Sequence, residues 1–291
     1  MAEITTRRVE ANGLTFLVDE AGEGEDVALL LHGFPESRFS WRHQISSLAN
    51  LGWRVIAPDL RGYGGSSRPP RKADYAIDHL VEDVAALFEA LGARRRLLIG
   101  HDWGAAIAWA FALDKRLSLD GLVIMNVPHP SVLARVMRAS WRQPLRSWYM
   151  GFFQIPGLPE AAMTASRARA IGNAFSGMAM DKSRFPSEVT DVYRKNALIP
   201  GAMTAMLNYY RANTGMLGRW GKTPPVIDVP TLMIWGEADT ALGIENTAGY
   251  DPYVSEFTLH RLPGVSHWVQ QEAPERVNEI LVSWIAARLA T

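Results

Sequence analysis

Leu97-Leu98-Ile99-Gly100-His101-Asp102-Trp103-Gly104 is the stretch on which the fold reading turns. A short apolar run ends in glycine, and the stretch that follows, Gly104 to Leu113, is apolar and helical in character. Strand, tight turn and helix form the repeating unit of a parallel sheet. The glycines flanking Asp102 let strand and helix approach closely. The Asp102 side chain then projects at a helix N-terminus, where negative charge is favoured. Small-x-nucleophile-x-small is the pattern of a nucleophile-bearing turn, here with aspartate at its centre. A plain N-cap aspartate after a strand would look the same locally, so the rest of the chain has to decide.

Outward from this point the same grammar repeats. Val27 to Leu31, Arg54 to Pro58 and Gly121 to Met125 are further apolar runs, and Leu80 to Leu91 has helical spacing before Gly92. Thr231 to Trp235 resumes the pattern late in the chain. Glu256 to Leu262 alternates like a strand nearer an edge, and Pro274 to Leu289 reads as a closing amphipathic helix. Buried apolar strands alternating with helices predict an α/β fold with a mostly parallel sheet covered on both faces.

Residues 131 to 222 break the alternation and read as helices and loops. They hold 13 Lys and Arg against 4 Asp and Glu, and eight of the 11 methionines. The expected organisation is therefore a core of residues 1–130 and 223–291 with a helical cap, 131–222, inserted between two strands. The whole chain of 291 residues has 30 basic and 30 acidic side chains, so a +9 cap offsets a −9 core. That asymmetry would favour docking if those charges face one another.

Composition narrows the function. With 48% hydrophobic and 21% charged residues the chain can bury a large core. The absence of cysteine excludes disulfide frameworks, zinc-finger sites and thiol catalysis. Zero net charge argues against broad binding to nucleic acid or an anionic membrane. Met1 to Gly13 lacks a signal-peptide core, and no apolar run is long enough to span a bilayer. A cytoplasmic protein, monomer or homodimer, is expected, with no membrane insertion. No phosphate loop, dinucleotide fingerprint or metal-spaced ligand set is present, so no cofactor and no metal are implied.

Two other segments bear on Asp102. Leu31-His32-Gly33-Phe34-Pro35-Glu36 follows a strand, where backbone N–H donors for an oxyanion are needed. The donors would be Phe34 and Trp103; as a bland alternative the segment is a tight turn, with a cis bond before Pro35. Trp235-Gly236-Glu237-Ala238-Asp239 and Gly264-Val265-Ser266-His267-Trp268 follow the last two strands. Asp102, Asp239 and His267 then run in the chain order nucleophile, acid, histidine. Glu237 is the alternative acid, Asn126 cannot carry the charge, and His101 is expected to pack or bond beneath the turn. His129 at the cap boundary and Arg94-Arg95-Arg96 before a strand are read as structural, the arginines as a solvated turn.

Over nearly its whole length the sequence resembles the α/β-hydrolase fold family. It is most similar to the epoxide hydrolase and haloalkane dehalogenase branch, in which aspartate is the nucleophile. Asp59-Leu60-Arg61-Gly62-Tyr63-Gly64-Gly65-Ser66 matches that branch's D-x-x-G-x-G-x-S, read here as a structural turn. Trp148-Tyr149-Met150-Gly151-Phe152-Phe153-Gln154-Ile155-Pro156-Gly157 and Leu207-Asn208-Tyr209-Tyr210-Arg211-Ala212-Asn213 resemble the cap segments that each supply an epoxide hydrolase with a tyrosine. The resemblance implies Tyr149 and Tyr210, with Tyr209 as fallback, as donors to the ring oxygen. Cap-packing aromatics are the bland alternative.

The chemistry agrees. A carboxylate nucleophile suits displacement at saturated carbon and leaves an alkyl ester, whose hydrolysis needs a histidine base. Epoxide opening makes an alkoxide and needs a proton donor, whereas a halide leaves on N–H donors alone. The expectation is a cofactor-independent epoxide hydrolase acting on a lipophilic or aryl small-molecule epoxide, with Phe34, Trp103, Phe152 and Phe153 as aromatic pocket wall. A haloalkane dehalogenase is the alternative, with Trp103 and a cap tryptophan such as Trp148 as halide donors. A non-catalytic binding module on the same fold is the third reading.

Overall fold

The computed structural model describes residues 2–221 and 223–289. Met1, Ala290, Thr291 and Lys222, the last residue of the expected cap, lie outside the described residues. Eight strands form one sheet: β1 Thr5–Ala11, β2 Leu14–Ala21, β3 Asp26–Leu31, β4 Arg54–Pro58, β5 Arg95–His101, β6 Gly121–Met125, β7 Thr231–Gly236 and β8 Phe257–Leu262. Their spatial order is β1-β2-β4-β3-β5-β6-β7-β8. The pairings of β1 with β2 and of β2 with β4 are antiparallel, and every later pairing is parallel.

Among the helices outside the insertion are α1 Ile45–Ala49, α2 Ile77–Ala90 and α3 Trp103–Leu113. Side chains alternate across the central strands with the period of two that a pleated strand imposes. Leu29 and Leu31 enter the apolar layer shared with α2 and α3, while Ala28 and Leu30 enter the opposite layer with α1 and the C-terminal helix. Both faces are thus dry, which explains why these strands read as continuous apolar runs.

The N-terminal hairpin escaped the sequence reading. β1 and β2 carry charged residues on their open face, so no apolar run marks them. Asn12 and Gly13 both have positive φ, and Ala11 pairs with Leu14 around them. Asn-Gly in this two-residue loop is the local signal that was available. The arginine triplet is also more structured than a solvated turn. Arg95 and Arg96 belong to β5, and Arg95 packs over Trp53 with its guanidinium near Asp26.

Between β6 and β7 the described chain has helices and no named strand: α4 Pro130–Ala139, α5 Arg142–Arg146, α6 Trp148–Phe152, α7 Leu158–Met178, α8 Ser187–Ala197 and α9 Ala202–Ala212. α7 is two helical pieces joined at Ala165–Ala168, where the backbone leaves helical geometry. Two further helices close the chain, α10 Val269–Glu272 and α11 Pro274–Arg288. Opposite charges do meet between insertion and core, as in Arg184 with Glu275 and Arg219 with Asp78 and Asp114. These pairs are exposed, and such pairs contribute little. Better enclosed bonds fix the docking: Tyr209 Oη donates to the Arg61 carbonyl at 2.9 Å, and Glu272 accepts from the N–H groups of Met180 and Asp181.

Candidate active site

The sheet order itself makes the site. From β3 the chain crosses to β4 on one side, then returns past β3 to β5 on the other. The loops leaving the C-terminal ends of β3 and β5 therefore splay apart above a crevice, where α/β proteins place their ligands. One loop is His32–Glu36 and the other is the Asp102 turn.

Asp102 has φ 47° and ψ −119°, a strained conformation for a residue with a Cβ. Its neighbours explain how the turn is held. A Cβ on Gly104 would lie 2.0 Å from the Leu31 carbonyl oxygen, and one on Gly100 would lie 2.5 Å from the Gly104 carbonyl oxygen. With glycine at both places, strand and helix close upon the turn and push the carboxylate into the crevice. There Asp102 Oδ1 accepts the Phe34 N–H at 2.7 Å. The Phe34–Pro35 bond is cis.

His267 and Asp239 come from the loops after β8 and β7. His267 Nδ1 lies 2.7 Å from Asp239 Oδ2, and its Nε2 lies 3.5 Å from Asp102 Oδ2. Asp239 is saturated by other donors: Oδ1 takes the N–H groups of Ala241 and Leu242, and Oδ2 takes the Asn126 amide at 2.8 Å. The alternative acid, Glu237, turns away toward Arg261 at the surface. Asn126 is unable to be the acid, as its chemistry requires, but it holds the acid.

Electrostatics follow from this arrangement. Burial alone pushes Asp102 upward, yet the hydrogen bond and charge of His267 and the Phe34 N–H leave its carboxyl below the ordinary value. Asp239 is likewise lowered, burial being outweighed by His267 and Asn126. Burial would lower His267, but the two carboxylates override it and raise it well above the usual imidazole range. The two carboxylates thus favour the protonated form of the imidazole that lies between them.

Beneath this site His101 bonds under the turn, as expected, and its partner is Glu36, a buried residue given no role from the sequence. His101 places Nδ1 2.7 Å from Glu36 Oε2 and Nε2 2.8 Å from the His267 carbonyl. Glu36 also accepts from the Gly33 N–H and from the side-chain amides of Gln270 and Gln271. Its motif was visible, but its side-chain partners lie more than sixty residues away. Asp59 ties its turn to Arg38 and the Gly65 N–H, and Ser66 Oγ donates to the Asp59 carbonyl. His129 caps α4 by accepting the Ser131 N–H.

A cavity of about 160 Å³ opens over Asp102. Asp102, Trp103, Tyr149 and Tyr210 line it together with Leu133, Met137 and other apolar side chains. The rings of Tyr149 and Tyr210 lie 6.1 Å apart, nearly perpendicular. Both phenols are raised above their usual value, first by burial and then by the nearby Asp102 charge. Tyr209 points elsewhere, its hydroxyl being engaged by Arg61. Phe34 and Phe153 pack against the Tyr210 ring from behind, at 5.4 and 4.9 Å, and neither lines the cavity. Phe152 stands one step further out beside Trp148. Of the four expected wall residues, Trp103 alone lines this cavity.

The profile of the alpha/beta hydrolase fold family matches residues 27–274. The chain belongs to the α/β-hydrolase fold family and to its epoxide hydrolase branch. It is 36% identical to an AB hydrolase superfamily protein of Bacillus subtilis, over 95% of this chain and 96% of that one. It is 35% identical to epoxide hydrolase 3 of Xenopus tropicalis, over 94% of this chain and 75% of the relative. A crystal structure of the Bacillus megaterium epoxide hydrolase with an inhibitor superposes with a TM-score of 0.88, at 31% identity and over 96% and 99% of the two chains. In this chain a carboxylate and two phenols line one cavity, and a histidine–acid pair lies beside that carboxylate.

Proposed function

We propose that this protein is an epoxide hydrolase that opens a lipophilic epoxide to a vicinal diol through an ester on Asp102. The observation that carries the reading is the shared cavity of Asp102, Tyr149 and Tyr210. A nucleophile and two acids on one void match the needs of a strained ring ether: attack at carbon and protonation at oxygen.

In the first step Asp102 Oδ2 bonds to a ring carbon and that carbon's bond to oxygen breaks. The alkoxide takes a proton from Tyr149 or Tyr210, whose raised values keep them protonated until so basic an oxygen forms. Oδ1, held by the Phe34 N–H, stays as the ester carbonyl. Ester formation removes the Asp102 charge, one of the causes that raise His267. Once the ester exists the imidazolium gives up its proton more readily, and that proton restores the phenolate left by the first step. Neutral His267, oriented by Asp239, then takes a proton from water that attacks the Asp102 carboxyl carbon. The Phe34 and Trp103 N–H groups would stabilise the oxyanion. The bond from the carboxyl carbon to the diol oxygen then breaks, that oxygen takes the proton of the new carboxyl group, and the diol leaves Asp102 as a carboxylate. The insertion 131–222 acts as the cap that roofs this chemistry, since it supplies both tyrosines. The small, mostly apolar cavity favours a compact lipophilic substrate.

A haloalkane dehalogenase is less well supported. Trp103 lines the cavity, but Trp148, the cap donor that reading would recruit, is 67% exposed and does not. The test uses His267→Gln with styrene oxide and, in parallel, a bromoalkane. The expected result is a protein mass increased by one styrene oxide, located on Asp102, and diol from the wild type. Halide release without diol would overturn the epoxide reading, and no adduct with either substrate would return the site to a binding role.

A further inference from the structure

We infer that the outer face of α5 and α6 docks on an anionic lipid bilayer surface. This segment is inside out. Its inward residue, Gln143, is polar and buried, with its amide on the Ala241 carbonyl and its oxygen on the Gly243 N–H. Its outward residues are apolar: Trp141, Leu145 and Trp148 are 71%, 61% and 67% exposed. Spaced at i, i+4 and i+7 along near-helical backbone, they share one face. A contiguous apolar patch of this kind marks an interaction surface.

Charge identifies the partner. From Gly121 to Pro159 the chain has four arginines and no acidic residue. Arg146 is paired with Glu245 at 3.6 Å, whereas among the described residues no carboxylate pairs with Arg138 or Arg142, and Arg142 lies over the exposed Trp141 ring. Tryptophan and leucine beside basic side chains are the composition of a segment lying in a headgroup layer. A second copy fits poorly, because a two-fold contact sets the same patch against itself. Two patches of like charge would then lie together.

The patch also adjoins the active site. Leu145 and Trp148 border an outer cleft whose inner wall includes Tyr149, and Tyr149 lines the Asp102 cavity from the other side. A bilayer seated on this face would hold lipophilic epoxide one side chain from the nucleophile. That delivery rests on the proposed activity; the docking does not.

Sedimentation of the full-length protein with vesicles tests the docking without turnover. Vesicles of phosphatidylcholine with phosphatidylglycerol should pull the protein down at low salt, and pure phosphatidylcholine should not. Arg138→Glu with Arg142→Glu should weaken this binding roughly thirtyfold or more, given the contribution of each basic side chain near such a surface. Trp141→Ala with Leu145→Ser should weaken it as well, and both variants should retain wild-type diol formation in vesicle-free buffer. The inference is overturned if wild type stays in the supernatant, or if the arginine variant binds like wild type. It is also overturned if sedimentation equilibrium shows a dimer that the Trp141 variant dissociates, because the face then belongs to a second copy.

Discussion

The Asn126 side-chain amide donates to Asp239 Oδ2 at 2.8 Å, on the same oxygen that lies 2.7 Å from His267 Nδ1. Asn126 also accepts the Gly236 N–H, so it ties the ends of β6 and β7 together. Its φ of 50° lets the side chain turn back toward the sheet. Asn126→Ala removes one charge-assisted bond from Asp239, worth roughly 1.5–3 kcal/mol. Ester hydrolysis should slow by about ten- to a hundredfold, with ester formation less affected. Rapid-quench measurement should then find more esterified enzyme at steady state. Asn126→Asp is expected to do something different. A second carboxylate beside Asp239 cannot remain ionised alongside it, so the acid limb of the rate profile should move upward.

The tyrosines should separate the two steps. Tyr149→Phe or Tyr210→Phe alone should slow ester formation by about a hundredfold, the usual scale for a lost general acid. Together they should abolish it. Hydrolysis of an ester already formed should persist if, as proposed, His267 serves that step. Tyr209→Phe breaks a bond to the Arg61 carbonyl and should lower thermal stability while sparing the first step. Single-turnover kinetics on the three variants would show the split, and loss of ester formation in Tyr209→Phe alone would reverse the assignment.

The Asp102 turn could be read because its demands are local: two glycines, a strand before and a helix after. Asp239 and His267 could be read because each falls at a strand end in the expected order. The aromatic wall could not, because a side chain's direction depends on how the inserted helices dock. Phe153 and Tyr210 look alike in sequence, yet one is packing behind the other. The support from Asn126 and Glu36 was invisible for a related reason. Both act through partners brought close only by the sheet order.

Stability should depend on pH through the same charges. His267 is raised above its ordinary value near 6.5, so its contribution is full below that value and is lost as pH climbs through the raised one. Asp102 and Asp239 are lowered from about 3.8, so theirs is present above that value and is lost as pH falls through the lowered ones. Unfolding temperature should thus be highest from weakly acid to neutral pH and decline on both sides. His267→Gln removes the alkaline decline attributable to the triad. Thermal scans of both proteins across pH would show it, and identical alkaline slopes would contradict an imidazolium in the resting site.

Glu36 offers the most demanding test of the buried support. It is fully enclosed and accepts hydrogen bonds from the Gly33 N–H and three side chains, a set that only a carboxylate can satisfy. Burial pushes it upward, but His101 and the Gly33 N–H hold it below the usual glutamate value. Glu36→Gln puts an NH2 group where an acceptor is required and leaves the His101 contact without its negative partner. Leaving buried donors without their acceptor costs on the order of 1–3 kcal/mol. The denaturation midpoint should fall accordingly. Because His101 also contacts the His267 carbonyl, the surviving folded protein should hydrolyse the ester more slowly while forming it at a near-normal rate. A variant with unchanged stability and unchanged hydrolysis would show that the Glu36–His101 pair neither supports the fold nor positions the base.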